Sequence, residues 1–418
     1  MRYAVRRRVL TLILIVVTGA AGIRDLPKFD YFFRVDRHLG WDLDVVCSSL
    51  HALSDGHDPY LESKPLPLPY PVIHVYLWKP LCAVSVSPLV YGIVFTLIAA
   101  ASAILLWRIV PPMAFDRIAV LAAIFLSFNA FRWQLESGNA AIVELPLAVT
   151  SVVLLAARRY LWAAVFFGLL ASLKLLPLFG AIAFLCLPES TRLRFQSFAL
   201  AIGSFLIVQA LNAILFSQWL PSYGAQLMGR MPGGSFYEPG GPGGAVLNED
   251  TIDFVLGVFQ RFGIGEPLPG IALACLGTGV ACLTAMACAR KTSERGELPP
   301  VAVVSLVVLT LWLFLFRQKP YGFETFVPFM IAAGYGIGRR AALYAIAASI
   351  LVSGVIESRI VDVPFLSAYY QLIAAWVVVL MLQLSAIMHL RLGIYNQTKD
   401  KRSGLDVGGC AVADPGSP

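Results

Sequence analysis

The chain has 418 residues, 58% of them apolar and 14% charged, with a formal net charge of +7 and a mean hydropathy of +0.75. A soluble domain carries about 25% charged residues, so the composition excludes an ordinary soluble protein and indicates a polytopic membrane protein. The positive balance falls mostly in short loops between apolar runs, where the positive-inside bias accounts for it and nucleic-acid binding does not.

The opening MRYAVRRRVLTLILIVVTGAAG has the basic start and short apolar core of a signal peptide. Further apolar runs follow to the C-terminus, so a retained signal-anchor helix near 9–24 is expected. Apolar windows then fall at 88–107, 117–131, 139–157, 160–187, 195–217, 267–289, 300–317, 321–338, 340–356 and 365–388. Residues 70–86 are interrupted by Pro71, Lys79 and Pro80 and read as an interfacial or re-entrant segment. The stretch 160–187 is long for one helix and short for two, with Lys174 and Pro177 near its middle. It reads as two short helices, or a helical hairpin, with Lys174 at the outer turn.

Basic residues order the loops. Arg2, Arg6, Arg7 and Arg8, then Arg108 with Arg117, Arg158 with Arg159, Arg192 with Arg194, Arg290 with Lys291 and Arg295, Arg339 with Arg340, and finally Arg391, Lys399, Lys401 and Arg402 mark cytoplasmic turns. This ladder predicts an all-α polytopic integral membrane protein with about 12 crossings and both termini in the cytoplasm. A single membrane-embedded domain over 1–391 carries long outer segments at 25–87 and 218–266, and the polar tail 392–418 is expected to be disordered. MPGGSFYEPGGPGG (231–244) is too rich in Gly and Pro for regular structure and serves as a spacer or a mobile flap. The seven Cys show no metal-ligand spacing and read as small hydrophobes, and the five His form no H-x-x-x-H pair. No cofactor or metal is expected.

Polar residues gather on the outer side of this topology. GWDLDVVCSSLHALSDGHDPY (40–60) brings Asp42 and Asp44; FNAFRWQLESGN (128–139), read as an outer turn, brings Arg132, Gln134, Glu136 and Asn139. Lys174 sits between leucines, and FRQKPYGFE (316–324) supplies Arg317, Lys319, Tyr321 and Glu324. Singly, each has a bland role: a snorkelling lysine, an interfacial anchor, a solvated loop, or, for Glu144, a polar contact between helices. Together, cations and a carboxylate on one side point to an anionic ligand with an acid–base step beside it. A phosphate on a lipid carrier suits the Lys/Arg set and could enter sideways through the bilayer. Transfer of a sugar from such a donor needs one base for the acceptor hydroxyl and cations for the departing phosphate.

Five short motifs occur in order. They are Asp42 through Gly56 to Pro59-Tyr60, then Tyr70-Pro71 in LPYPVIHVYLWKPL, Ser137-Gly138-Asn139, the step from Ala171 through Lys174 to Pro177, and Phe316-Arg317-Gln318-Lys319-Pro320-Tyr321. In these the chain resembles glycosyltransferase family 87, bacterial polyprenyl-phosphate-mannose-dependent α-mannosyltransferases of the GT-C superfamily. It departs from the family pattern at Val46, Val72 and Phe316, where an aromatic residue, Pro and Pro are usual. The resemblance implies a GT-C-type fold in the bacterial cytoplasmic membrane, with a hexose, most often mannose, moved to a lipid or glycan hydroxyl on the outer face with inversion. It makes Asp42 the base, with Asp44 a possible second acid. Lys174, Arg317 and Lys319 would hold the donor phosphate, and Arg132, Gln134, Asn139 and Tyr321 would contact donor or acceptor. The alternative is a transporter or flippase of a lipid-linked or anionic solute. Inverted-repeat transporters show matching halves with paired broken helices, and no such self-similarity is visible. A nucleotide-sugar donor is not indicated, because no G-x-G-x-x-G follows a strand pattern.

Overall fold

The computed structural model describes residues 40–62, 68, 70–84, 87–173, 176–227, 298–313, 322–357 and 369–405. The principal helices are α1 (Trp41–Ser54), α2 (Ser87–Leu106), α3 (Ala114–Leu126), α4 (Ala130–Ser137), α5 (Ala141–Ala156) and α6 (Tyr160–Leu173). They continue as α7 (Thr191–Leu215), α8 (Pro300–Leu313), α9 (Phe323–Ile337), α10 (Arg339–Glu357) and α11 (Tyr370–Leu405). The described residues contain no strand. The protein is an all-α membrane protein. By length and composition, four helical stretches among the described residues can cross a bilayer: Leu89–Ile109, Ala114–Ser137, Thr191–Leu215 and Tyr370–His389. Four shorter apolar helices, α5, α6, α8 and α9, accompany them. The expected windows at 9–24 and 267–289, and the segment 231–244, lie outside the described residues.

Apolar helices sort into inner and outer ones by which faces they bury. In α2, Tyr91, Phe95, Ala99, Ala103 and Leu106 repeat at helical spacing and are buried, while Ile93, Leu97 and Ile104 are exposed. Such a face suits lipid, since a bilayer solvates it as well as a protein core would. Helices α8 and α9 are buried nearly all round and form the middle of the bundle. Helix α7 is peripheral, with Phe195, Ile207 and Ile214 exposed. It lies tightly on α6, where a Cβ on Gly168 would come within 2.2 Å of the Ala201 carbonyl oxygen. A side chain there would force the two backbones apart.

Several expectations meet their outcome in the fold. Within the 160–187 window, Tyr160–Leu173 (α6) and a tighter helical stretch Leu176–Cys186 pack together, with Phe167 edge-on to Phe184 at 5.6 Å, while Lys174 lies outside the described residues. Residues 70–84 form no span; they make three short pieces, Val72–Val75, Tyr76–Trp78 and Lys79–Cys82. The expected turn at 128–139 is instead largely the helix α4, set off from α3 by Phe128 and Asn129 at φ 57° and 53°. The expected disordered tail does not begin at 392, because α11 runs on to Leu405. Extending an existing helix needs no new nucleus, and the residues between His389 and Leu405 include no proline. Cys47 and Cys82, read as small hydrophobes, are instead joined in a disulfide between α1 and the Lys79–Cys82 turn.

Polar contacts define two ends of the bundle. At one, Arg339 at the start of α10 donates through Nε to both carboxylate oxygens of the buried Asp116 at 2.8 and 2.9 Å, and Tyr335 adds a hydrogen bond at 3.0 Å. Arg117 lies over the Trp107 ring at the same end. The opposite end gathers α1, α4 and the starts of α2, α5, α9 and α11. Trp133 donates to the Tyr370 hydroxyl at 2.8 Å, Gln371 donates to the Phe128 carbonyl, and the Phe128 ring meets Phe323 and Phe326 at 5.5 Å each.

Candidate active site

The second end is built on a junction of two helix termini. Helix α4 closes on Gly138, a left-handed residue at φ 70° whose N–H donates to the Gln134 carbonyl. Helix α1 opens on Gly40, also left-handed at φ 84°, whose N–H donates to the Glu136 carbonyl at 2.7 Å. The two termini approach so closely that a Cβ on Gly138 would lie 2.8 Å from Leu43 Cβ and 3.1 Å from Gly40 Cα. Glycine is required twice over here, by its dihedral and by the contact.

This docking delivers Asp42, in the first turn of α1, to Asn139, the residue after Gly138. The Asn139 carboxamide donates through Nδ2 to Asp42 Oδ2 at 2.5 Å. Asn139 is itself fixed from two sides. Its backbone carbonyl accepts from the Tyr91 hydroxyl at 2.7 Å, and its Oδ1 accepts from the Ala140 N–H at 2.6 Å. Asp42 is 8% exposed. The first turn of a helix favours a negative charge through its unsatisfied N–H groups, and Asp42 stands in that turn. Asp44 stands two residues on, about 200° around the helix, and is exposed.

The other expected site residues divide into placed and unplaced. Arg132 pairs with Glu136 one turn along α4, Nε to Oε1 at 2.7 Å. Gln134 is fully buried within α4. Lys174, Arg317, Lys319 and Tyr321 lie outside the described residues. Among the described residues no group of His, Cys, Asp and Glu is arranged to hold a metal ion.

Three groups absent from the expected site stand near these elements. Tyr91 links α2 to Asn139. Glu324 opens α9 and is wholly buried. His74 belongs to the short segment Val72–Val75, outside the spanning helices. Its Nε2 lies 3.4 Å from Ser172 Oγ, and among the described residues its Nδ1 meets no hydrogen-bond partner. Burial lowers its pKa to about 4. Beside it, the Ile73 N–H donates to Asn212 Oδ1 at 3.0 Å, tying this segment to α7.

The sequence profile described as glycosyltransferase family 87 matches residues 68–316, more than half of the 418-residue chain. The chain belongs to glycosyltransferase family 87. No curated protein matches it. The matched region contains Tyr91, Asn139 and Glu144, whereas Asp42 precedes it and Arg317, Lys319, Tyr321 and Glu324 follow it. The fold joins Asp42 to the family region through Asn139, 97 residues away in sequence.

Proposed function

We propose that this family-87 glycosyltransferase moves a hexose, with mannose the first choice, from a polyprenyl-phosphate donor to a lipid or glycan hydroxyl on the outer face of the bacterial cytoplasmic membrane. Asp42 is the general base. It takes the proton of the acceptor hydroxyl as that oxygen bonds to the anomeric carbon, and the bond from the anomeric carbon to the phosphate oxygen breaks on the opposite side. The products are an inverted glycoside and polyprenyl phosphate, whose charge Lys174, Arg317 and Lys319 receive. A phosphate leaves readily, so no second carboxylate is needed to protonate it.

The observation that carries this reading is the Asp42–Asn139 contact: a buried carboxylate at a helix start, held by a carboxamide that is itself fixed by Tyr91. A general base needs this kind of positioning more than it needs exposure. The Cys47–Cys82 disulfide on the same helix favours the oxidising, outer side of the membrane for this end. Arg117 and Arg339 at the opposite end suit a cytoplasmic side. With both termini inside and about 12 crossings, the arginine ladder keeps that orientation throughout.

The test is release of polyprenyl phosphate by purified protein supplied with polyprenyl-phosphate mannose and candidate lipid or glycan acceptors, with glucose and galactose donors in parallel. Wild type should turn over one of these donors, and Lys174→Ala, Arg317→Ala and Lys319→Ala should each slow it. Absence of release from every hexose donor and acceptor would contradict the proposal, as would full activity in all three variants.

A further inference from the structure

Among the described residues two carboxylates are completely buried, and they are treated in opposite ways. Asp116, at the arginine end, is 0% exposed and is met by Arg339 and Tyr335. Glu324, at the Asp42 end, is also 0% exposed, yet among the described residues neither Oε1 nor Oε2 has a hydrogen-bond partner. Burying a carboxyl group without a partner is costly, and such groups in native chains are concentrated where a ligand or a functional step supplies what is missing. Glu324 sits in the first turn of α9, beside the packed rings of Phe128, Phe323 and Phe326. It lies at the end of the bundle that also carries Asp42 and Asn139, where Phe323 packs on Phe128 at the entry to α4.

We propose that Glu324 is a sugar-recognition residue, its two carboxylate oxygens accepting hydrogen bonds from two neighbouring ring hydroxyls of the donor hexose. The inference rests on the transferase reading above and adds a residue to it. A carboxylate offers two coplanar acceptors and no donor, which matches a vicinal diol. The donor sugar is favoured over the acceptor for two reasons. Glu324 is sealed inside the helices, whereas a polar acceptor arrives from water. It also follows within eight residues of Arg317 and Lys319, the groups assigned to the donor phosphate. Glu324 is a specificity-determining residue here and takes no proton from the reacting atoms.

The experiment compares binding of two lipids, polyprenyl-phosphate mannose and sugar-free polyprenyl phosphate, to wild type, Glu324→Gln and Glu324→Asp. Glu324→Gln should bind the mannosyl lipid about 10- to 100-fold more weakly, through loss of charge-assisted hydrogen bonds, and the sugar-free lipid within about twofold of wild type. The latter also shows that the variant is folded. Glu324→Asp, which keeps the charge, should recover part of the loss. Donors lacking single hydroxyls should bind wild type more weakly at two adjacent positions, and Glu324→Gln should be indifferent to those same two. Equal binding of both lipids by wild type and Glu324→Gln would overturn the assignment, as would equal weakening of both lipids. Wild type that binds neither lipid would instead overturn the transferase reading and this inference with it.

Discussion

Replacing Gly138 with Ala tests whether the docking of two helix ends sets the position of Asp42. Gly138 has φ 70°, where an L-residue costs about 1–2 kcal/mol. The added methyl would also sit 2.8 Å from Leu43 Cβ and 3.1 Å from Gly40 Cα. Both atoms belong to or adjoin the backbone of α1 and cannot rotate away, so relief requires α1 to move, at a further cost of about 1–3 kcal/mol. The sum, about 2–5 kcal/mol, should lower the apparent melting temperature in detergent by several degrees. A shift of α1 also lengthens the 2.5 Å contact between Asn139 and Asp42. Misplacing a reacting group by 1 Å costs about 10²-fold, so a shift of a few tenths of an ångström should slow transfer about tenfold. Gly56 supplies the control. It too is left-handed, at φ 75°, but a Cβ there meets nothing within 4 Å. Gly56→Ala should therefore show only the dihedral cost, about 1–2 kcal/mol, and near-normal transfer. Melting curves and initial rates for the two variants side by side decide the matter. If Gly138→Ala matches Gly56→Ala in both, the junction does not position Asp42.

Other predictions address the surroundings of the site. His74 has an ordinary pKa near 6.5 that burial lowers to about 4, so above pH 6.5 it is neutral whether folded or unfolded and does not affect stability. As pH falls from 6.5 to 4 the unfolded chain takes the proton first, and up to about 3 kcal/mol is lost; melting followed over that window should fall less steeply in His74→Gln. Asp116→Asn breaks the buried pair with Arg339, itself a quarter exposed, and should cost about 2–3 kcal/mol in melting experiments while leaving donor binding unchanged. Cys47→Ser opens the bridge to Cys82 across a sequence separation of 35 and should cost about 2–4 kcal/mol; peptide mapping without reductant should recover the two cysteines as one linked species from wild type.

Where apolar length alone decides, the sequence is a good guide to this fold. The windows at 88–107, 195–217 and 365–388 correspond to α2, α7 and α11, and the described parts of 160–187 are two helical segments, Tyr160–Leu173 and Leu176–Cys186. Helix α4 was hidden because FRWQLES looks polar. Its helicity depends on docking against α1 and α11, through Gly40 and Tyr370, which no local pattern contains. The disulfide was hidden for a similar reason: Cys47 and Cys82 are two of seven scattered cysteines, and only the fold brings their Cα atoms to 5.4 Å. Asp42 and Asn139 could each be named from the sequence, but nothing in it says that they touch. Tyr91, His74 and Glu324 carried the weakest signal, since one polar residue in an apolar run can snorkel, join helices or bind a ligand. Burial and missing partners separate those roles, and both require coordinates.

The most direct measurement of the central claim is transfer from polyprenyl-phosphate mannose in membranes containing wild type, Asp42→Asn or Asp44→Asn. Asparagine keeps the size of Asp42 and can still accept from Asn139 through its Oδ1, so the junction should stay intact, but it cannot take a proton from the acceptor. The account predicts a loss of about 10²–10⁴-fold in Asp42→Asn, the usual contribution of a general base, and near-wild-type transfer in Asp44→Asn, whose side chain is exposed. Full activity in Asp42→Asn, or a larger loss in Asp44→Asn, would contradict it.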